Sequence, residues 1–404
     1  MSHLRVGLIF GGRSVEHEVS VLTAHQVMAA LPTDKYIPVP IYISKSGQWF
    51  TGEVLKQLEN FKDLEKLVKI ADPVVFNVDA RQPGLIHQKV QGQRNWLGRG
   101  STEPSLEPID VAFPLIHGSH GEDGTLQGLL EMADLPFVGS DVLASALAMD
   151  KIFTKIVLRS AGVPVIDDLY VSRTRWESEA DAVVAEAEAR FSYPMYVKPV
   201  TLGSSIGVSQ AEDESALRFA LDVAAAYDNR LMIEPAQQDI IEVNCSVLGD
   251  STDARASVCE QPISSGTLSY ENKYLSGDKD GGGGGSKGRG MQSAKRLIPA
   301  PLESDLTDAI QSAAINAFKA LNASGVVRID FFVRPSEKKF YINEINPVPG
   351  SFSFYLWEPT GVDFPELLTT LVEIALRRHR EKRRSTFTFS SSLLSTKTVG
   401  GEKF

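Results

Sequence analysis

The stretch RVGLIFGGRS at residues 5–14 does most to limit what this chain can fold into, because an apolar run ends abruptly on two glycines. An apolar run bounded by a turn signal reads as a strand buried on both faces, as in a parallel sheet. Val15, Val19 and Leu22 follow at helical spacing, with Ser14 placed to cap the helix. YIPVPIYIS, residues 36–44, is a second strand. Strand, glycine turn, helix and strand make a βαβ unit and predict an α/β domain. DVAFPLIHG, residues 110–118, is a further strand, delivering residues to the C-terminal edge where open α/β sheets hold ligands.

At 404 residues the chain is expected to form two or three domains. It has no run of 18 or more apolar residues, so no membrane span is expected, and the apolar N-terminus lacks a cleavage-like site. Two cysteines, Cys245 and Cys259, offer neither a disulfide framework nor metal-ligand spacing, which fits a reducing cytoplasm. The net charge of −10 argues against a nucleic-acid surface. SGDKDGGGGGSKGRGMQSAKR, residues 276–296, reads as a flexible insertion. Residues 377–384 hold six basic groups and one acid; the segment beyond 378 reads as a disordered tail, or as a membrane-surface or partner site.

Chemistry concentrates in four places. In NEINPVPG, Glu344 and Asn346 share one strand face before a Pro-Val-Pro-Gly turn. In RIDFFV, Arg328 and Asp330 do the same. Paired as a hairpin, Asp330, Glu344 and Asn346 would surround one point and suit one or two Mg²⁺ ions held largely through nucleotide phosphates; a cross-strand salt bridge is the structural alternative. Arg328 beside them could neutralise developing negative charge. TLGSSIGV, residues 201–208, is a Gly/Ser loop that reads as a phosphate cover or as a plain hairpin turn. Lys198 on the strand entering it and Lys151 at the start of KIFTK are candidate phosphate cations, or solvated surface charges.

GGRSVEHEVS, HGSHGEDGTLQGLLE, PFVGS, MDKIFTK, YPMYVKP, LGSSIGV, KY, RIDFFV and NEIN with a following PG occur in an order that resembles D-alanine–D-alanine ligases, which are ATP-grasp enzymes. The resemblance runs over residues 5–376. It implies an α/β chain of three domains: a Rossmann-like parallel-sheet substrate domain (1–122), a central ATP-grasp domain (123–209) and a C-terminal one (210–378), then a tail (379–404). It implies ATP and D-alanine as substrates, two Mg²⁺ or Mn²⁺ ions, a D-alanyl phosphate intermediate, a homodimer, and a place in cytoplasmic peptidoglycan precursor synthesis.

By motif, Lys151 and Lys198 resemble the two ATP-phosphate lysines, and Ser204 and Ser205 the serines that close over the phosphates. Glu234 matches the adenine hinge and Glu242 the ribose carboxylate. Asp330, Glu344 and Asn346 match the metal ligands; Arg328 and the N–H of Gly350 match the oxyanion site. Glu16 resembles the carboxylate receiving the first substrate's ammonium, with His117 and Glu122 beside it. Lys273 and Tyr274 match lid residues, Tyr274 linking to Glu16 and Ser204. Ser353, Tyr355 and Leu356 fall on the acceptor side. There the family's second serine is replaced by Tyr355, a bulkier donor, and Pro347 stands in place of a threonine. Other acceptors, D-serine, D-lactate or another amino acid, therefore remain open, as does a nucleotide-binding regulator without catalysis.

Overall fold

A computed structural model describes residues 3–88, 105–203, 205–263 and 296–390, with the backbone of 398–399 and 402–403. The N-terminal sheet contains β1 (Leu4–Gly11), β2 (Tyr36–Ile43), β3 (Trp49–Thr51), β4 (Asp72–Asn77), β5 (Gly84–His87), β6 (Leu106–Pro108) and β7 (Val111–Pro114), in the order β6-β5-β4-β3-β2-β1-β7. β1 lies between β2 and β7 and is parallel to both. Val6, Leu8, Ile9 and Phe10 are fully buried, as a strand covered on both faces requires. The expected parallel sheet is parallel only there. Five residues join β2 to β3 and six join β4 to β5, too few for a crossover, so those pairs are antiparallel.

Helix α1 (His17–Ala30) starts later than its apolar spacing suggests. Ser14 does not cap it: its hydroxyl donates to the His117 carbonyl at 2.7 Å and accepts from the Glu16 N–H at 3.1 Å. Val15 lies outside the helix and is exposed, whereas Ser20 and Thr23 are buried beside Val19 and Val27. Ser20 can be buried because it accepts from Gly11 N and donates to Leu115 O, at 2.8 and 2.7 Å. Gly11 turns back at φ +88°, where a Cβ would stand 2.4 Å from the Ile43 carbonyl oxygen.

After α2 (Leu64–Ile70), α3 (Thr125–Met132), α4 (Val142–Met149) and α5 (Lys151–Ser160) come two antiparallel sheets. The first contains β8 (Leu169–Ser172), β9 (Met195–Pro199), β10 (Ser209–Ala211) and β11 (Arg230–Pro235), ordered β10-β9-β11-β8. Its core is shared with α6 (Arg173–Ser178), α7 (Ala180–Arg190) and α8 (Glu214–Tyr227). The second, ordered β14-β13-β12-β15-β16, contains β12 (Ile241–Gly249), β13 (Ala254–Pro262), β14 (Arg296–Leu297), β15 (Gly325–Arg334) and β16 (Lys339–Asn346). α9 (Ser304–Ala320) covers one face of it.

The short α10 (Phe354–Trp357) precedes the final helix, α11 (Phe364–Lys382), which runs four residues past the expected start of a disordered tail. His379 reaches Asp134 at 2.9 Å and Lys382 pairs with Glu131, so the helix end is held against the N-terminal half. Much of the basic run is likewise paired, Arg377 with Asp250 at 2.6 Å and Arg378 to the Gly139 carbonyl at 2.7 Å. Among the described residues no helix is long and apolar enough to cross a membrane. Of the expected insertion, residues 276–295 lie outside the described residues, as do Ser204, Lys273 and Tyr274.

Candidate active site

A cavity of about 480 Å³ separates the two antiparallel sheets, lined by Lys151, Lys198, Glu234, Glu242, Asp330 and Glu344 among others. The Asp150 carboxylate caps α5 by accepting from the N–H groups of Ile152 and Phe153, which places Lys151 at the mouth of the helix. Lys151 Nζ donates to the Leu202 carbonyl at 2.6 Å, tying the helix to the start of the Gly/Ser loop. Burial lowers its pKa, with the charge of Glu344 opposing. In that loop Ser205 is exposed at φ +57° and Gly207 sits at φ +71° against the Pro199 ring.

Lys198, on β9, donates to Glu234 Oε2 at 2.6 Å and to Asn343 Oδ1 at 3.3 Å. Glu234 is engaged through both of its carboxylate oxygens. It is 3% exposed and lies between Lys198 and Lys155, which pairs with its other oxygen. Burial alone would raise the Glu234 pKa, but the two ammonium groups outweigh it and hold the carboxyl at about 2. Lys155 was not distinguished by motif, although it follows Lys151 by one helical turn and so shares its face. Glu242 lines the cavity from β12, opposite Phe332 on β15.

Across the cavity, the β15–β16 register pairs Asp330 with Glu344 and Arg328 with Asn346, as the alternation of the two segments implied. On β12 and β13 the same row continues through Asn244 and Glu260. Arg328 grips Asp330 through Nε and Nη2, both at 2.7 Å, and Asn346 Nδ2 lies 3.2 Å from Asp330 Oδ2. Burial works against the Arg328 charge, but Asp330 more than compensates and keeps it protonated. Two carboxylates and an amide give only oxygen ligands, the donor set that suits Mg²⁺ completed by phosphate and water. Among the described residues no cluster of three or more His, Cys, Asp and Glu side chains forms a cage that would hold a metal alone.

The turn after β16 connects this sheet to the segment that follows β7 of the N-terminal sheet. Val348 donates its N–H to Glu122 Oε1 at 3.1 Å, and its carbonyl accepts from His117 Nδ1 at 2.8 Å. That assigns the Nδ1–H tautomer, leaving Nε2 to accept from the Thr23 hydroxyl at 2.9 Å. Burial lowers the His117 pKa, so the ring is neutral. Glu122 also accepts from Gly118 N at 2.7 Å; burial, then the charge of Glu16, pushes its carboxyl up to about 8. Glu16 is buried, with Oε2 only 2.8 Å from where a Cβ on Gly118 would sit and 3.8 Å from one on Gly203. Glu16, Glu122, the start of the Gly/Ser loop and the turn after β16 therefore meet.

Beyond that, Gly350 opens a tight turn (Gly350–Ser353) in which Ser351, Phe352 and Ser353 take φ near +50°, a conformation costly for non-glycine residues. Packing holds it: Phe352 meets Phe113 edge-on at 5.2 Å, and Ser351 donates to Gln26 at 2.5 Å. Ser353 is fully buried and its hydroxyl meets no hydrogen-bond partner among the described residues. Leu356 is fully buried. Tyr355 is buried, and its hydroxyl donates to Glu260 Oε1 at 2.9 Å. Asn244 and Arg296 also donate to Glu260, at 3.0 and 3.1 Å, and Arg296 stacks over the Tyr355 ring at 4.2 Å. Glu260 had no motif to mark it.

Comparison with known proteins agrees with this geometry. Residues 5–140 match the family described as D-ala D-ala ligase N-terminus, and residues 157–373 match D-ala D-ala ligase C-terminus. The D-alanine–D-alanine ligase of Acetivibrio thermocellus is 38% identical over 389 residues, covering 93% of this chain and 97% of that one. That of Chloroherpeton thalassium is 37% identical, covering 95% and 99%. Among solved structures, the D-alanine-D-alanine ligase from Coxiella burnetii aligns with a TM-score of 0.75 at 31% identity, covering 95% of this chain and 97% of its own. The VanG D-Ala:D-Ser ligase from Enterococcus faecalis also scores 0.75, at 29% identity and 93% and 100% coverage. By both halves of its sequence and by its fold, the chain belongs to the D-alanine–D-alanine ligase family.

Proposed function

We propose that this chain joins two D-alanine molecules, at the expense of ATP, through a D-alanyl phosphate. The observation that carries this reading is the strand register that sets Asp330 beside Glu344 at one wall of the cavity that Lys151 and Lys198 also line, with Arg328 and Asn346 paired next to them on the same two strands. A free carboxylate is a poor electrophile, and phosphorylating it divides the reaction into two easier steps. Lys151, Lys198 and the loop with Ser204 and Ser205 would hold the phosphates of ATP, while Glu234 and Glu242 receive adenine and ribose. Asp330, Glu344 and Asn346 would hold two Mg²⁺ ions, which supply charge neutralisation on phosphate oxygens. Glu16 would receive the first D-alanine's ammonium beside His117 and Glu122. Arg328 and the Gly350 N–H would then steady the oxyanion formed when the second amine attacks. Lys273 and Tyr274 act as lid residues in this reading. The protein works by positioning and charge, with no covalent nucleophile of its own. Its setting is cytoplasmic peptidoglycan precursor synthesis, as a homodimer with the three-domain division set out above.

Tyr355 supports one variant of this reading, the same chemistry with a different acceptor, since its hydroxyl is already committed to Glu260. The deciding experiment is ADP release by the purified chain with Mg-ATP and D-alanine, alone and with D-serine or D-lactate, products being identified by mass. D-alanyl-D-alanine from D-alanine alone supports the main reading. Turnover only with another acceptor moves the chain to that specificity, and nucleotide binding without ADP release under any condition overturns catalysis.

A further inference from the structure

Lys155 is a buried cation behind the cavity wall. It is 2% exposed, and its Nζ donates to Glu234 Oε1 and, at 3.0 Å, to the Ile166 carbonyl. Asp168 Oδ1 stands 3.9 Å from it and also pairs with Arg159. The charges therefore alternate inward: Arg159, Asp168, Lys155, Glu234, Lys198. Lys155 does not line the cavity, whereas Glu234 and Lys198 do.

We infer that Lys155 is a positioning residue for nucleobase choice, holding the Glu234 carboxylate in place as a hydrogen-bond acceptor when Lys198 turns to phosphate. This rests on the ATP-dependent reading above. In the structure both Glu234 oxygens face a lysine. Phosphate oxygens compete for Lys198, the partner at the cavity wall, and cannot compete for Lys155 behind it. A buried carboxylate stripped of both cations would take up a proton or withdraw. With Lys155 in place it keeps its charge and offers Oε2 to the cavity. An amino group on the purine six-ring can donate to that oxygen; a carbonyl at the same position would set two acceptors against each other. The site is thereby built for a 6-amino purine over a 6-oxo purine.

The test compares ATP with ITP, which differ at that ring position, in the full-length chain and in Lys155→Met. Equilibrium titration of each nucleotide accompanies KM and kcat measured with saturating D-alanine. The expected result is a fall of about tenfold or more in the ATP-to-ITP preference, a raised KM for ATP, and kcat at saturation and the KM for D-alanine changed by less than about threefold. Lys155→Arg should recover part of the preference. A purely structural role would depress kcat and both nucleotides alike, leaving the preference unchanged, and that outcome overturns the inference. If the Met variant fails to fold, Lys155→Arg and the intact chain still decide: equal affinity of the intact chain for ATP and ITP refutes it. Absence of ligase turnover would defeat the proposed function alone, because the titrations need no turnover.

Discussion

Replacing Tyr355 with phenylalanine removes one oxygen and nothing else. The ring keeps its place between Arg296, 4.2 Å above it, and the surrounding core, so no cavity opens. What is lost is one hydrogen bond to the buried Glu260 carboxylate, 2.9 Å long, while Asn244 and Arg296 continue to donate to it. A hydrogen bond to a charged acceptor contributes about 1.5–3 kcal/mol, so urea unfolding should show a loss of that size. Two remaining donors should keep the loss toward the lower end. A double-mutant cycle with Glu260→Gln should return a coupling of about 1–2 kcal/mol. The activity assay separates two roles for the same hydroxyl. If the bond to Glu260 persists during turnover, KM for the acceptor changes by less than about tenfold, whereas a hydroxyl that reads the acceptor's carboxylate would cost orders of magnitude more. Unchanged stability with zero coupling, or a collapse in acceptor affinity, would falsify the assignment of this hydroxyl to Glu260.

The other expectations concern separate parts of the molecule. Glu344→Gln should lower turnover on the order of a hundredfold or more with an unaltered urea midpoint, and retained turnover would remove Glu344 from the metal set. Glu122 titrates at about 8 against an ordinary 4.5, so between those values the native state holds a proton that the unfolded chain has released. Its contribution to stability therefore falls as pH rises through that window; Glu122→Gln should flatten the fall in urea midpoints measured from pH 5 to 9, and an identical slope would contradict the shift. Deleting residues 385–404 should leave ligase activity intact, while truncation before His379 should lower the unfolding midpoint, because the pairs to Asp134 and Glu131 are lost. Equal midpoints for the two truncations would show that those pairs contribute nothing.

What could be foreseen from the sequence depended on the range of each interaction. The period of two in RIDFFV and NEIN fixes which residues share a face, and one hairpin is enough to bring Asp330 against Glu344. The opening strand was similarly legible, since an uninterrupted apolar run has few other places to go. Ser14 shows where local rules fail: a hydroxyl beside a helix start is a good cap, but here the carbonyl of His117, 103 residues away, claims its proton. The partner of the Tyr355 hydroxyl was hidden for the same reason, with Glu260 lying 95 positions earlier. Lys155 was out of reach because its meaning comes from Glu234, on a strand of the facing sheet.

Val348 is the extreme case, since it acts through backbone alone and its apolar side chain carries no sign of the task. Glu122 accepts its N–H and His117 donates to its carbonyl, across 226 and 231 residues. A turn that needs two specific partners for adjacent polar atoms cannot shift without leaving both buried and unsatisfied. The turn in question begins where the Asp330, Glu344 and Asn346 row ends and leads directly into Gly350. His117 and Glu122, in turn, lie within the electrostatic reach of Glu16. One loop therefore fixes the distance between the side expected to receive the first amino acid and the side expected to stabilise the second attack. That common anchor explains why a neutral histidine and a high-pKa carboxyl occupy this position: each can satisfy a backbone group there without placing another full charge beside Glu16.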